Sequence, residues 1–144
     1  MKARDKMLLF VYGTLKKDYG NNRLLETSEF VGEGRTRESF LMLRAGFPVL
    51  MREPRTEVHD RYWLPAIGEV YRVNNPETWA RLDRLEGIPD MYTREKTHVD
   101  FLTGETAEVQ VYIGNPKLWW RRFSTKHVTD HLCACSTDGA YIYA

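Results

Sequence analysis

The apolar positions of this chain fall into three patterns, and each predicts a different element. Met7-Leu-Leu-Phe-Val11 is an unbroken apolar run that leads into Tyr12, Gly13 and Thr14, with Lys16 and Lys17 just beyond. Its length and β-rich end predict a short buried strand over Leu8–Tyr12. Residues 106–113 alternate instead, with Ala107, Val109, Val111 and Ile113 on one face, the period of a strand. Ile67 to Val73 reads as another strand. The third pattern is helical and runs from Pro76 to Glu86. Asn75 suits its cap, Pro76 its first turn and Gly87 its end, and Pro89 prevents continuation.

The remaining segments are less regular. Asn22 to Glu26 can open a short helix capped by Asn21 or Asn22. Residues 30–44 mix glycines with apolar residues and predict one or two strands. Met51 to Leu64 is polar, charged and holds Pro54, which predicts a long surface loop. Several strands with one clear central helix predict an α+β fold with a mixed or barrel-like sheet.

Within the helix, Trp79, Leu82 and Glu86 share a face, while Asp83 and Arg84 fall largely to others. Trp79 and Leu82 should point to the core and carry Glu86 inward. There both desolvation and the negative end of the helix dipole disfavour its charge and raise its pKa toward neutrality. That is where a general base or acid works best. The plain alternative is a carboxylate solvated at the helix edge, or paired with Arg81 or Arg94, and it stays open at this point. Tyr92, just beyond the turn Gly87 to Met91, is the nearest partner in sequence. At the other end of the chain's logic, Tyr12, Gly13, Thr14 and Leu15 follow the first strand, where glycine lets backbone amides approach a bound group.

Length and composition narrow the classes. At 144 residues, with 42% hydrophobic and 28% charged, the chain predicts a single domain over 1–144 with an ordinary globular balance. A net charge of +1 supplies no field for nucleic acid or anionic lipid, so neither is an expected partner. The apolar run after MKARDK ends at Val11, too short for a signal peptide, and no stretch reaches membrane-spanning length. Cys133 and Cys135 are too close in sequence for a useful disulfide. Together these predict a cytoplasmic protein with reduced thiols.

Phe10-Val-Tyr-Gly-Thr-Leu-Lys16, Gly68-Glu-Val-Tyr-Arg-Val73, Leu82-Asp-Arg-Leu-Glu-Gly87 with Pro89, Tyr92 and Arg94, and Val109 to Ile113 together resemble the γ-glutamylcyclotransferase family. The likeness is greatest to its γ-glutamylamine cyclotransferase branch and covers residues 8 to about 113. The resemblance implies a small mixed β-barrel with flanking helices and a pocket at the barrel mouth. It implies that the amides of Tyr12 to Leu15 hold a small-molecule γ-glutamyl substrate, that Tyr92 lies beside it, and that Glu86 is the catalytic carboxylate. No metal, nucleotide or other cofactor is needed for the ring closure that yields 5-oxoproline.

Other features compete with that reading. A non-catalytic module could use the Tyr12–Leu15 cradle to hold a small carboxylate, although an ionised Glu86 would repel such a ligand. His127, His131, Cys133 and Cys135 offer four soft ligands for zinc, but their spacing fits no common ribbon or finger. A helix with a buried cysteine or two accounts for them as well, so no metal site is expected. Trp119 and Trp120 read as packing, Lys16 and Lys17 as a solvated strand exit. Tyr141 to Tyr143 could close over a pocket. Neither the leaving amine nor the oligomeric state is encoded in any motif.

Overall fold

A computed structural model describes residues 7–12, 20–45, 47–54 and 56–128. Its elements are β1 (Leu8–Val11), β2 (Glu29–Arg44), β3 (Pro48–Met51), β4 (Leu64–Arg72), α1 (Pro76–Leu85), β5 (Tyr92–Phe101), β6 (Thr106–Gly114) and α2 (Pro116–Arg122). Short 3-10 helices cover Gly20–Leu25, Asp60–Tyr62 and Thr125–His127. The strands run β3-β2-β4-β1-β6-β5, and a further pairing of β2 with β5 closes five of them into a barrel that leaves β3 outside the ring. β1 lies parallel to β6, with Leu9 opposite Gln110, and the other pairings are antiparallel. The α+β barrel expected above is the fold observed.

The unbroken apolar run of β1 has a simple cause, because both of its faces are buried. Leu8, Phe10 and Tyr12 point into the barrel with Phe40, Val70 and Val111. Leu9 and Val11 point outward under the helices, against Leu82, Tyr112 and Trp119. β6 divides its side chains in the same way. Val109, Val111 and Ile113 line the interior, while Tyr112 joins the outer layer.

β2 is one strand of 16 residues rather than two. Its pairing with β4 slips between Phe30 and Gly32 and again between Arg35 and Ser39, and such irregularities bend a strand and add twist. At the second slip the buried Thr36 hydroxyl accepts from the Ala66 amide at 2.8 Å and donates to the Glu38 carbonyl at 2.7 Å. It thereby serves backbone groups that the broken ladder leaves over.

Three expectations need correction. The helix foreseen over Asn22–Glu26 is a 3-10 helix over Gly20–Leu25, with Asn22 inside it donating to the Tyr71 hydroxyl at 3.1 Å. Met51–Leu64 is not a loop throughout: Met51 is the fully buried last residue of β3 and Leu64 is the first of β4. Arg52, just past β3, bonds both oxygens of Glu38 at 2.7 Å and also reaches Glu95. β5 itself was not foreseen. Thr93, Glu95 and Thr97 alternate with Arg94, Lys96 and His98, so neither face of that strand carries the expected apolar stripe.

Candidate active site

α1 begins as its sequence dictates, with the Asn75 side chain accepting from the Glu77 amide at 2.8 Å and Pro76 in the first turn. Leu82 is fully buried, and the Trp79 indole donates to the Val73 carbonyl at 2.9 Å. Together they press one face of α1 onto the outside of the barrel. The helix closes with a Schellman arrangement in which Gly87 N donates to Arg84 O (3.2 Å) and Ile88 N to Asp83 O (3.1 Å). Gly87 has φ +63°, a conformation that favours glycine, and a Cβ there would crowd Met91 at 3.1 Å.

Glu86 is the C-cap of this helix and is half-buried. Burial first, and the neighbouring charge of Asp83 second, push its pKa from the ordinary 4.5 up to about 7. Three buried tyrosines, Tyr12 just after β1, Tyr92 on β5 and Tyr112 on β6, lie near enough to feel the Glu86 charge. Burial, followed by the charge of Glu86, raises Tyr92. Burial, then Tyr92 and Glu86, raises Tyr12 well above its usual value. Tyr112 is raised by burial and by its bond to Asp83. All three remain neutral at physiological pH, so they can orient or donate but carry no charge. The Tyr12 hydroxyl donates to the Tyr112 carbonyl at 2.7 Å and accepts from the Leu50 amide at 3.4 Å, which ties the end of β1 to β6 and β3.

The structure therefore brings Tyr12, Glu86 and Tyr92 together. Gly13, Thr14 and Leu15, with Lys16 and Lys17, lie outside the described residues, as do His131, Cys133, Cys135 and Tyr141–Tyr143. Two expectations about charge are revised. Arg94 pairs with Asp83 at 3.3 Å, and Arg81 is exposed. Asp83 is not turned away with Arg84: it is half-buried and accepts from the Tyr112 hydroxyl at 2.7 Å. The interior alternation of β6 concealed Tyr112, because it belongs to the opposite face, which only a helix packed outside the barrel makes useful.

Trp119 and Trp120 are packing residues, as expected. Both are buried, and their indoles donate to Met91 O and Glu53 O at 2.7 Å. His127 Nδ1 accepts from the Ser124 amide at 3.2 Å. Among the described residues no three metal-ligating side chains gather, and no helix is long and apolar enough to cross a membrane.

The segment after Glu86 is pinned by Asn115. Its amide donates to Pro89 O and Asp90 O at 3.2 and 3.0 Å, and its carbonyl oxygen caps α2 by accepting from Lys117 N at 3.0 Å. Asn115→Ala should cost about 1–2 kcal/mol, the upper range for losing a cap, read as a lower urea midpoint. An unchanged midpoint would show that the turn holds without it.

Residues 9–131 match the family described as gamma-glutamyl cyclotransferase, AIG2-like. A γ-glutamylcyclotransferase-like protein of Methanocaldococcus jannaschii is 33% identical over 105 residues, covering 72% of this chain and 81% of that one. The γ-glutamylaminecyclotransferase of Bos taurus is 36% identical over 100 residues, covering 63% of this chain and 55% of that one. An AIG2-like protein from Mus musculus, solved by crystallography, superposes with a TM-score of 0.71 at 26% identity, covering 96% of this chain and 95% of that one. A match this long, on a barrel with this helix-end carboxylate, places the chain in the γ-glutamyl cyclotransferase, AIG2-like family of enzymes.

Proposed function

We propose that the chain is a γ-glutamylamine-type cyclotransferase in which Glu86 moves the proton. The observation that carries this is the setting of Glu86: a helix-end carboxylate, half-buried among neutral tyrosines and beside Asp83, with a pKa of about 7. Such a group can take a proton and return it at neutral pH with little cost in either direction.

The substrate's α-ammonium is not nucleophilic. Glu86 takes one of its protons, and the freed nitrogen attacks the γ-carbonyl carbon of the same glutamyl unit. A five-membered tetrahedral intermediate forms, with negative charge on the former carbonyl oxygen. The bond from that carbon to the departing amine nitrogen breaks as Glu86 returns the proton to this nitrogen. Glu86 then takes the second proton from the ring nitrogen, which ends as a neutral lactam N–H, and passes it to the released amine. The products are 5-oxoproline and a free amine. Because the attack is intramolecular, the protein mainly has to hold the glutamyl chain bent. Backbone amides at Tyr12, Gly13, Thr14 and Leu15 supply the donors for the α-carboxylate and the developing oxyanion in this reading. Tyr92 forms the wall of the pocket beside Glu86, and no covalent intermediate or cofactor is called for.

The name of the bovine relative directs attention to amines as the leaving group. The test is release of 5-oxoproline from γ-glutamyl-ε-lysine, from γ-glutamyl alkylamines and from γ-glutamyl amino acids, without added metal. The expected result is preferential turnover of the first two classes. Turnover confined to γ-glutamyl amino acids would replace the branch assignment. Binding of a γ-glutamyl compound with no turnover of any would favour a non-catalytic module built on the same cradle.

A further inference from the structure

Arg94 and Tyr112 stand directly opposite each other in the β5–β6 ladder, so their side chains leave the same outer face of the barrel side by side. Both reach Asp83 of α1. The Tyr112 hydroxyl donates to its Oδ1 at 2.7 Å, and Arg94 Nη1 lies 3.3 Å from the same oxygen. Arg94 also lies over the Trp79 ring, 4.6 Å from its centroid, so the same cation grips α1 at two successive turns. Asp83 precedes Glu86 by three residues, the spacing that makes helix neighbours. A cross-strand pair thus fixes a carboxylate one helical turn from the reacting one. No proton or bond of the ring closure passes through it.

We propose that Asp83 is a positioning residue: clamped by Arg94 and Tyr112, it seats the last turn of α1 on the barrel and holds a fixed negative charge beside Glu86. The proposal rests on the reading of Glu86 as the proton acceptor. The groups that face Glu86 are Asp83 on its own helix, Tyr92 on β5 with Arg94 behind Asp83, Tyr112 on β6, and Tyr12 after β1. The tyrosines are neutral at physiological pH, so after burial it is the Asp83 charge that raises Glu86, and Arg94 is the cation paired with Asp83. The Asp83 charge disfavours ionisation of Glu86, and in this proposal the cation paired with Asp83 offsets that effect.

A base must be deprotonated to act, so kcat/KM climbs with pH through the Glu86 titration near 7. Asp83→Asn keeps the shape and an acceptor for Tyr112 but removes the charge. It should move this acid limb down by about one pH unit. Arg94→Gln should move it up. The measurement is a carbon-13 titration of the Glu86 carboxyl in the full chain, its signal identified by its loss in Glu86→Gln, alongside the pH dependence of kcat/KM. Opposite shifts in the two variants support the proposal. A folded Asp83→Asn protein with lowered turnover but an unmoved Glu86 midpoint would reduce Asp83 to a structural anchor and overturn it. Should Asp83→Asn fail to fold, Arg94→Gln decides alone, an unmoved or lowered midpoint overturning the proposal. A Glu86 midpoint that moves while the acid limb stays still would leave the coupling standing and instead sink the reading of Glu86 as the base.

Discussion

Glu86→Gln should leave a folded barrel that releases 5-oxoproline more slowly by about 10²–10⁴-fold, the range expected for losing a positioned general acid–base. The backbone of residue 86 closes the helix by donating its N–H to Leu82 O at 2.9 Å, and glutamine preserves that hydrogen bond and nearly the same volume. Only proton exchange is lost. The variant should also gain stability in a defined pH window. In the fold Glu86 keeps its proton up to about pH 7, whereas an unperturbed glutamate releases it near 4.5. Between those values the native state binds more protons than the unfolded chain, so the parent loses stability as pH rises through the window. Glutamine carries no such penalty. Urea unfolding should therefore separate variant from parent at pH 8 in the variant's favour and leave little difference at pH 4. Near-parental turnover in a well-folded variant would end the assignment.

Gly68→Ala should have the largest effect on stability. Gly68 lies in β4, and a Cβ built there would stand 2.2 Å from the Val11 carbonyl oxygen and 2.8 Å from Phe10 Cζ. Neither neighbour is the loose end of a flexible side chain. One is backbone, and the other belongs to a fully buried ring. Relief requires β1 to move away from β4, at the upper end of or beyond the ~1–3 kcal/mol typical of overpacking. The displaced end of β1 carries Tyr12, whose hydroxyl is anchored to the Tyr112 carbonyl. Activity should fall with stability, rather than survive in the folded fraction. A loss below about 0.5 kcal/mol, the scale of a surface substitution, would mean that β1 is held far more loosely than its register implies.

How much of this was legible beforehand depended on which side of the barrel wall a residue serves. β1, β4, β6 and α1 declared themselves through apolar runs, alternation and caps, because their interior or core faces are mainly apolar. Glu86 could be singled out because Trp79 and Leu82 fix the face on which it sits. β5 stayed hidden because Thr93, Glu95 and Thr97 share its interior face, where Arg52 reaches Glu95 and Glu38 accepts from Thr97, while Thr93 donates to Glu95 within the strand. No periodicity reveals a polar stripe whose partners lie some forty to sixty residues away. The same holds for β3, four residues long and recognisable only by its pairing with Leu41–Arg44. Asp83 looked like a surface residue because helix geometry alone cannot show that Arg94 and Tyr112 wait opposite it.

The central place of β1 has a consequence for how the enzyme comes into being. β1 is flanked by β4 and β6 and can be completed only when both exist; Tyr12, the residue after it, bonds a carbonyl 100 residues further on. Closure of the ring likewise waits for β2 to find β5. Contacts so distant in sequence make for slow folding, since chain entropy is lost before they form. On a ribosome, Tyr12 would emerge long before β6, and the carbonyl that accepts from its hydroxyl would follow only when nearly the whole barrel had been made. Tyr92 and Tyr112 join the site only with β5 and β6, so the site is complete only when the last strands have been added.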